Sequence, residues 1–286
     1  PGMGKELCEQ YMSARRVFEF CERLRPGIMK QCFEGTPEEL RETANTQPCM
    51  FAMELAAAEA LTSLDIYPQA VAGFSLGELA AATYAEVFSL MDGFKLVQKR
   101  GELMQKEAEK HDTCMAAVVK LTAEQVEDIC KKHIKVYPVN YNSPGQTSVS
   151  GLASSIPAFT EDVKEAGGRV LPLKVRAAFH SPFMKDAAEA FAEELRNADI
   201  HAPKLPLYSD VTAEPYGDAC SLLAEQIASP VRWEQIIRNM ISSGIDTFIE
   251  IGPGKTLINL VKRIDPGVKM YSVSDMDTLL SEVKNA

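Results

Sequence analysis

The sequence is short of several things, and each shortage excludes something. It has one tryptophan, four histidines and seven cysteines in 286 residues, and 30 basic residues against 40 acidic ones, a formal net charge of −10. A general nucleic-acid binder needs a basic footprint that this balance denies it, although a local basic patch for an acidic partner is still open. The cysteines (Cys8, Cys21, Cys32, Cys49, Cys114, Cys130 and Cys220) are odd in number and none stand as CxxC. That argues against a disulfide framework or zinc site and for buried thiols in a reducing compartment. The scattered histidines contain no HExxH, and no apolar run approaches the about 20 residues of a membrane span. The opening "PGMGKELCEQ" has no signal-peptide pattern and no initiator methionine, so upstream residues are expected in the natural protein. What is present is ordinary for a soluble globular chain: 46% hydrophobic and 24% charged residues, enough for one large domain or one and a half.

The order of patterns predicts an α/β protein. Residues 36–46 read as a polar loop. The stretch "NTQPCMFAMELAAAEALTSL" then reads as a helix, capped by Thr46 or Gln47 with Pro48 in its first turn. "QAVAG" is a short buried strand, "LGELAAATYAEV" a helix, and a further helix covers roughly 91–110. Residues 112–176 change rhythm. Strand "CMAAVVKL", a helix over 122–133, strands "KVYPVNYN" and "QTSVSG" around the "NSPG" turn, a helix over 155–166 and strand "GRVLPLKV" give βαββαβ, the ferredoxin-like unit. This reads as a small subdomain inserted in a larger one formed by residues 1–111 and 177–286. After it, "PLYSDVT" and "IDTFIEIGPG" alternate with helices, which predicts a mostly parallel sheet.

Three stretches can carry chemistry. In Gly73-Phe74-Ser75-Leu76-Gly77 a strand turns sharply into a helix, which lifts the central side chain out of the sheet. The hydroxyl of Ser75 then sits near a helix N-terminus, and the N–H of Leu76 is a natural oxyanion donor. The competing reading is a serine that caps a helix. In "RAAFHSPFM", His180 lies where the insert rejoins the main domain, a place where clefts form. It is the best candidate for the base that a serine nucleophile needs, against a satisfied core histidine. No acid announces itself as a third member, and a backbone carbonyl can orient the imidazole instead. In "QKRGELMQ", Arg100 is either an ordinary helix-surface arginine or the bidentate partner of a substrate carboxylate. "GPGKT", residues 252–256, imitates the end of a phosphate-binding loop, but position 249 is Ile where that motif needs glycine.

Taken together, "PGMGKEL", "NTQP", "GFSLGELAA", "KRGELMQ", "VNYNSPGQTSVSG", "AFHSPFM", "SPVRW" and "EIGPGKTLINLVKRI" run in one order through nearly the whole chain. In that order they resemble the malonyl-CoA:acyl-carrier-protein transacylase family, which includes the acyltransferase domains of polyketide synthases. The resemblance implies an α/β-hydrolase-like large subdomain and a ferredoxin-like small one, with the site between them. It implies ping-pong acyl transfer for fatty-acid or polyketide synthesis. Ser75 takes malonyl from malonyl-CoA with His180 as base, Leu76 N–H holds the oxyanion, and the phosphopantetheine thiol of acyl carrier protein collects the group. It further implies that the main-chain carbonyl of Gln226 orients His180 and that Arg100 clamps the malonyl carboxylate. Asn140, Asn142 and Gln146 match a segment lining the cleft. Phe179 matches the malonyl-type pattern, in which a bulky ring crowds an α-methyl branch, a discrimination of about 1–3 kcal/mol. The family picture is a cytoplasmic monomer without bound cofactor, nucleic-acid or membrane partner. For an acidic carrier protein, Arg169, Lys174, Arg176 and Arg232 are the candidate docking residues.

Two departures from the family pattern stand out. Phe74 replaces the usual His before the nucleophile, which leaves the Ser–His pair intact. The family also begins with a strand and a Gly-Gln-Gly turn ahead of "PGMG", whose glutamine offers a second oxyanion N–H, so the chain as written is expected to be impaired. Two other function classes compete: a serine thioesterase or hydrolase, which needs an acid on His180 and Arg100 turned to solvent, and a non-catalytic docking module.

Overall fold

A computed structural model describes residues 1–283; residues 284–286, the end of the large subdomain as read from the sequence, lie outside the described residues. The N-terminal part is helical: α1 (Lys5–Gln10), α2 (Met12–Leu24), α3 (Ile28–Glu34) and α4 (Thr43–Thr62). The long α4 is buried on most sides, with Phe51, Ala52, Leu55, Ala56 and Ala60 in the main core. It begins earlier than its sequence predicts. Glu42 is extended and its carbonyl accepts the N–H groups of both Asn45 and Thr46, so the first turn closes ahead of Pro48. Thr46 and Gln47 are therefore inside the helix, and Gln47 is free for another task.

The chain continues through β1 (Val71–Ala72), α5 (Gly77–Tyr84) and α6 (Leu90–Ala108) into the inserted unit. That unit is β2 (Thr113–Val119), α7 (Ala123–Cys130), β3 (Val136–Ser143), β4 (Gln146–Leu152), α8 (Ile156–Glu165) and β5 (Arg169–Pro172). Its strands form one antiparallel sheet in the order β3-β4-β2-β5, with Thr113 opposite Leu152 and Ala116 opposite Pro172. This is the ferredoxin-like arrangement. The two helices cover one face, closing a separate core around Val118, Val126, Val149, Phe159 and Val163. A Thr122–Gln125 capping box starts α7.

The rest is α9 (Lys185–Arg196), β6 (Leu207–Tyr208), α10 (Ala219–Gln226), α11 (Trp233–Ser242), β7 (Thr247–Glu250), α12 (Thr256–Ile264), β8 (Lys269–Ser272) and α13 (Met276–Val283). Its strands are parallel, as expected of an α/β architecture, but they stand as two pairs. β1 pairs with β6 and β7 with β8. An apolar cavity of about 760 Å³ lies between the pairs, lined by Ala72, Phe74, Trp233, Ile237, Phe248 and Leu257 among others.

The two parts meet at β3. Its register shifts between Pro138 and Asn140, which bends the strand toward the loop before α11. There Tyr141 N–H donates to the Val231 carbonyl and Val231 N–H to the Val139 carbonyl, both at 2.9 Å. One residue on, Arg232 N–H donates to the Asp210 carbonyl at 3.0 Å. The inserted sheet is thus pinned to the loop after β6, next to the residues that form the site.

Candidate active site

Between β1 and α5 the chain turns within a few residues. A Cβ on Gly73 would lie 2.0 Å from the backbone of Gly77, so only glycine permits that turn. Gly77 has room for one, its nearest neighbours being the Glu54 carboxylate oxygens at 3.8 Å. Of the two glycines flanking the serine, the first is the steric requirement. Ser75, between them, has φ of 56°, a left-handed conformation that costs a non-glycine residue free energy and must be held by its surroundings. Asp210 supplies part of that hold: its Oδ2 accepts the Ser75 N–H at 2.8 Å. The N–H of Leu76 makes no hydrogen bond among the described residues and stands at the start of α5.

His180 is buried and also left-handed, with φ of 60°. Its Nε2 lies 2.8 Å from Ser75 Oγ and its Nδ1 2.9 Å from the Gln226 carbonyl oxygen. A carbonyl only accepts, so Nδ1 carries the proton and Nε2 presents its lone pair to the serine hydroxyl. Burial pulls the imidazole pKa down to about 4, helped by the Arg100 charge and opposed by the hydrogen bonds to Gln226 and Ser229. At neutral pH the ring is therefore an unprotonated acceptor, the state a general base requires.

Arg100 is 1% exposed, the largest fully buried side chain in the protein. It reaches the site because Gly101 lets α6 approach α4 closely; a Cβ there would meet the Thr43 carbonyl at 3.0 Å. Its Nη1 donates to Gln47 Oε1 at 2.8 Å, and its Nη2 to Gln226 Oε1 at 2.7 Å and to Ser75 Oγ at 3.3 Å. These partners are neutral oxygens, and no ion pair to it is found among the described residues. Burial lowers its pKa to about 10, against the Glu78 and Asp210 charges that raise it, so it remains a cation. A buried guanidinium held by amides beside a serine hydroxyl is prepared for an incoming carboxylate.

The structure thus brings together Ser75, His180, Arg100 and the Gln226 backbone. Other sequence candidates lie differently. Asn140 and Asn142 are buried on β3, each with an Oδ1 that has no partner among the described residues, and Asn142 Nδ2 donates to Ser148 Oγ. Gln146 accepts from Arg263 of α12, and no hydrogen bond joins it to Ser75, His180 or Arg100. Phe179 is half-buried against the main core. Phe74 packs edge-on against Trp233, ring centroids 5.5 Å apart, on the side away from the serine–histidine bond, which is intact. Arg169, Lys174, Arg176 and Arg232 are all exposed.

Sequence reasoning missed Gln47, Glu78, Asp210, Tyr216 and the side chain of Gln226. Each is a polar residue in an unremarkable local pattern, and only the tertiary fold buries them, Tyr216 in part. Gln226 is the hub. Its Oε1 faces Arg100, and its Nε2 faces the Ser75 carbonyl at 2.7 Å, Asp210 Oδ2 at 3.1 Å, and Glu78 Oε2.

A serine on a strained turn, a neutral histidine oriented by a carbonyl, a free N–H at a helix start and a buried arginine together define a serine acyltransferase-type site. Residues 1–277 match the family described as acyl transferase domain, and the chain belongs to that family. Its relatives are malonyl CoA-acyl carrier protein transacylases. The one from Bacillus subtilis (strain 168) is 39% identical over 97% of this chain and 90% of its own length. The one from Synechocystis sp. is 32% identical over 98% and 94%. Among solved structures, the malonyl CoA-acyl carrier protein transacylase of Clostridium perfringens superposes with a TM-score of 0.95 at 35% identity, covering 99% of this chain and 93% of that one. A malonyl-transacylase in complex with a type II polyketide synthase acyl-carrier protein gives 0.94 at 30% identity, covering 100% and 95%.

Proposed function

We propose that this chain transfers a malonyl group from malonyl-CoA to the phosphopantetheine thiol of acyl carrier protein through an acyl-serine, in fatty-acid or polyketide synthesis. One observation carries the substrate class: the buried Arg100 guanidinium, which bonds only neutral oxygens, those of the Gln47 and Gln226 amides and, at 3.3 Å, of the nucleophile. Ser75 Oγ attacks the thioester carbonyl while its proton passes to His180 Nε2. The oxyanion forms against the Leu76 N–H at the start of α5. Collapse expels the CoA thiolate, which takes the proton from His180. The carrier thiol then repeats the sequence in reverse, giving its proton to His180 and leaving with the acyl group.

Arg100 supports transfer over hydrolysis by preorganising one bound pose of a carboxylated acyl group. A thioesterase reading would need an acid on His180, and that position is taken by the Gln226 carbonyl. The reading needs no bound cofactor, since the phosphopantetheine arrives on the partner. It takes the chain to act as a cytoplasmic monomer. No helix among the described residues is long and apolar enough to cross a membrane.

The test is intact-protein mass spectrometry after brief incubation with malonyl-CoA or acetyl-CoA, followed by addition of carrier protein bearing its phosphopantetheine. A malonyl adduct on the wild type, absent from Ser75→Ala and discharged by the carrier, supports the reading. An adduct discharged equally by water would make the protein a hydrolase, and no adduct even with a Gly-Gln-Gly segment restored at the N-terminus would favour a docking module.

A further inference from the structure

Acyl transfer leaves two buried acids without a role. Glu78 is the second residue of α5 and Asp210 follows β6; both are 0% exposed. The Asp210 N–H donates to Glu78 Oε1 at 3.0 Å, and the Gln226 amide bridges the two carboxyls, donating to Glu78 Oε2 and to Asp210 Oδ2. The groups facing them are Arg100 from α6, Tyr216 from the segment before α10, Gln226 from α10, and the Ser75 backbone, with His180 beyond Ser75. Two carboxylates in contact away from water cannot both ionise cheaply, so one keeps a proton. Donor count decides which. Glu78 receives the Tyr216 hydroxyl, the Asp210 N–H and the Gln226 amide, as an anion would. Asp210 Oδ1 meets no donor among the described residues, so a proton on Asp210 displaces nothing.

We infer that Glu78 and Asp210 hold one proton between them, seated on Asp210, and that this singly charged pair is a positioning device for the nucleophile and for Arg100. Asp210 Oδ2 holds the Ser75 N–H and with it the left-handed turn. Glu78 balances the guanidinium charge from a distance, leaving Arg100 bonded only to neutral oxygens. Loss of the shared proton would add a second negative charge behind the arginine and oppose a carboxylated acyl group. The catalytic part of this inference rests on the malonyl-transfer reading; the proton itself does not.

Two measurements separate these. The first is isotope-edited infrared spectroscopy of protein with carboxyl-labelled aspartate. A protonated-acid carbonyl band at neutral pH, absent from Asp210→Asn, is expected. Its absence from the wild type overturns the inference, whatever the enzyme does. The second is single-turnover malonylation of Ser75 across pH. Asp210→Ala is expected to slow acylation by about 10²-fold with little change in half-saturation at neutral pH. Asp210→Asn keeps both the acceptor for Ser75 N–H and a donor toward Glu78, a permanent copy of the protonated acid. It should rescue the rate to within about threefold of wild type and abolish the alkaline rise in half-saturation that the shared proton predicts for the wild type. An Asp210→Asn variant as slow as Asp210→Ala, or with the wild-type alkaline rise, overturns the positioning role. If Asp210→Ala does not fold, the asparagine variant and the infrared band decide. A wild type that shows the band but takes no malonyl group sinks the malonyl reading and leaves the shared proton standing.

Discussion

The inserted sheet and the larger part around it are built on opposite principles. In the insert, four antiparallel strands and two amphipathic helices enclose a core of Val118, Val126, Val149, Phe159 and Val163. Its turns are short and local, and the polar side chains it buries on β3 and β4, such as Asn140, Asn142 and Ser150, are uncharged. The larger part buries a cation, two acids, a histidine and a glutamine at one spot: Arg100, Glu78, Asp210, His180 and Gln226. It also holds two residues of that spot in left-handed backbone. Such a cluster is costly unless each group is bonded, and its worth is geometric. The insert is a small apolar core and little else, whereas the larger part sets a buried polar cluster beside its own apolar core, and substitutions in the insert's core and in the cluster should divide the same way.

The largest effect on rate is expected from Ser75→Ala, which removes the atom that becomes acylated and should leave no malonyl adduct. His180→Ala should cost several orders of magnitude, since the serine loses its acceptor at 2.8 Å. Neither should lower the thermal midpoint much, because neither side chain belongs to an apolar core. A large loss of stability in either would collapse the contrast between the two regions.

Arg100→Ala should come next. It removes the carboxylate partner and leaves Gln47 and Gln226 without their donor. Malonyl loading should fall by about 10²–10³-fold, while acetyl loading is unchanged or rises. Adduct formation from the two thioesters, measured side by side, checks this. Equal losses for both would show that the arginine supports the fold and not the acyl group.

Phe159→Ala probes the other region. The ring is fully buried in the insert's own core, and its removal should cost about 3–5 kcal/mol. Denaturant unfolding with a fluorescence readout reports it. Malonyl-CoA acylation below the new midpoint should stay near the wild-type rate, since the nucleophile, base and arginine all belong to the larger part.

That division also explains what was legible. The insert announces itself because every strand and helix follows a local period and its turns carry their own signals. The strand–Ser75–helix turn and the junction histidine, His180, are likewise local patterns. The two pairs of parallel strands are not: β1 and β6 are two residues each and become strands only by meeting. β8 and α13 lack a pattern distinct from the loops beside them. Glu78 and Asp210 look like ordinary acids, one in a helix first turn and one after a strand, until α6 and α10 close over them. Burial of a charged residue is a tertiary event. Gln146 shows the converse, since a segment can match a cleft-lining motif while one of its side chains is engaged elsewhere, here with Arg263.

A pH profile sharpens the comparison within the site. His180 must be neutral to accept the serine proton, and its pKa is held at about 4, so acylation should be level from neutral pH to about pH 5 and fall below it. Stability follows with a definite sign. The folded value lies below the free imidazole's 6.5, so the unfolded chain binds the proton first. The neutral ring's contribution is complete above pH 6.5 and is lost as pH falls from there through 4. An acid limb near pH 6.5 in the acylation rate would mean that water reaches the ring and that the site is not dry.

The smallest effect is expected at the rim. Arg169, Lys174 and Arg176 sit on or just after β5, and Arg232 lies at the start of α11 where the insert is pinned to the larger part. All are exposed, so their reach is screened within about 10 Å at moderate salt, and each contributes little to stability. Yet the chain carries a net charge of −10, and an acidic carrier would be repelled by most of its surface. Docking of an acidic carrier is expected at a local basic patch, for which these four residues are the candidates. Reversing Lys174 and Arg176 to Glu should leave malonyl-CoA acylation and the melting temperature unchanged. Transfer to the carrier should slow by about three- to tenfold at low salt, and the difference should close as salt is raised. Steady-state rates at varied carrier concentration would place the loss in the second half-reaction. A slowed first half-reaction would move these residues from the docking rim to the CoA path, and the functional part of the inserted sheet would then extend beyond β3.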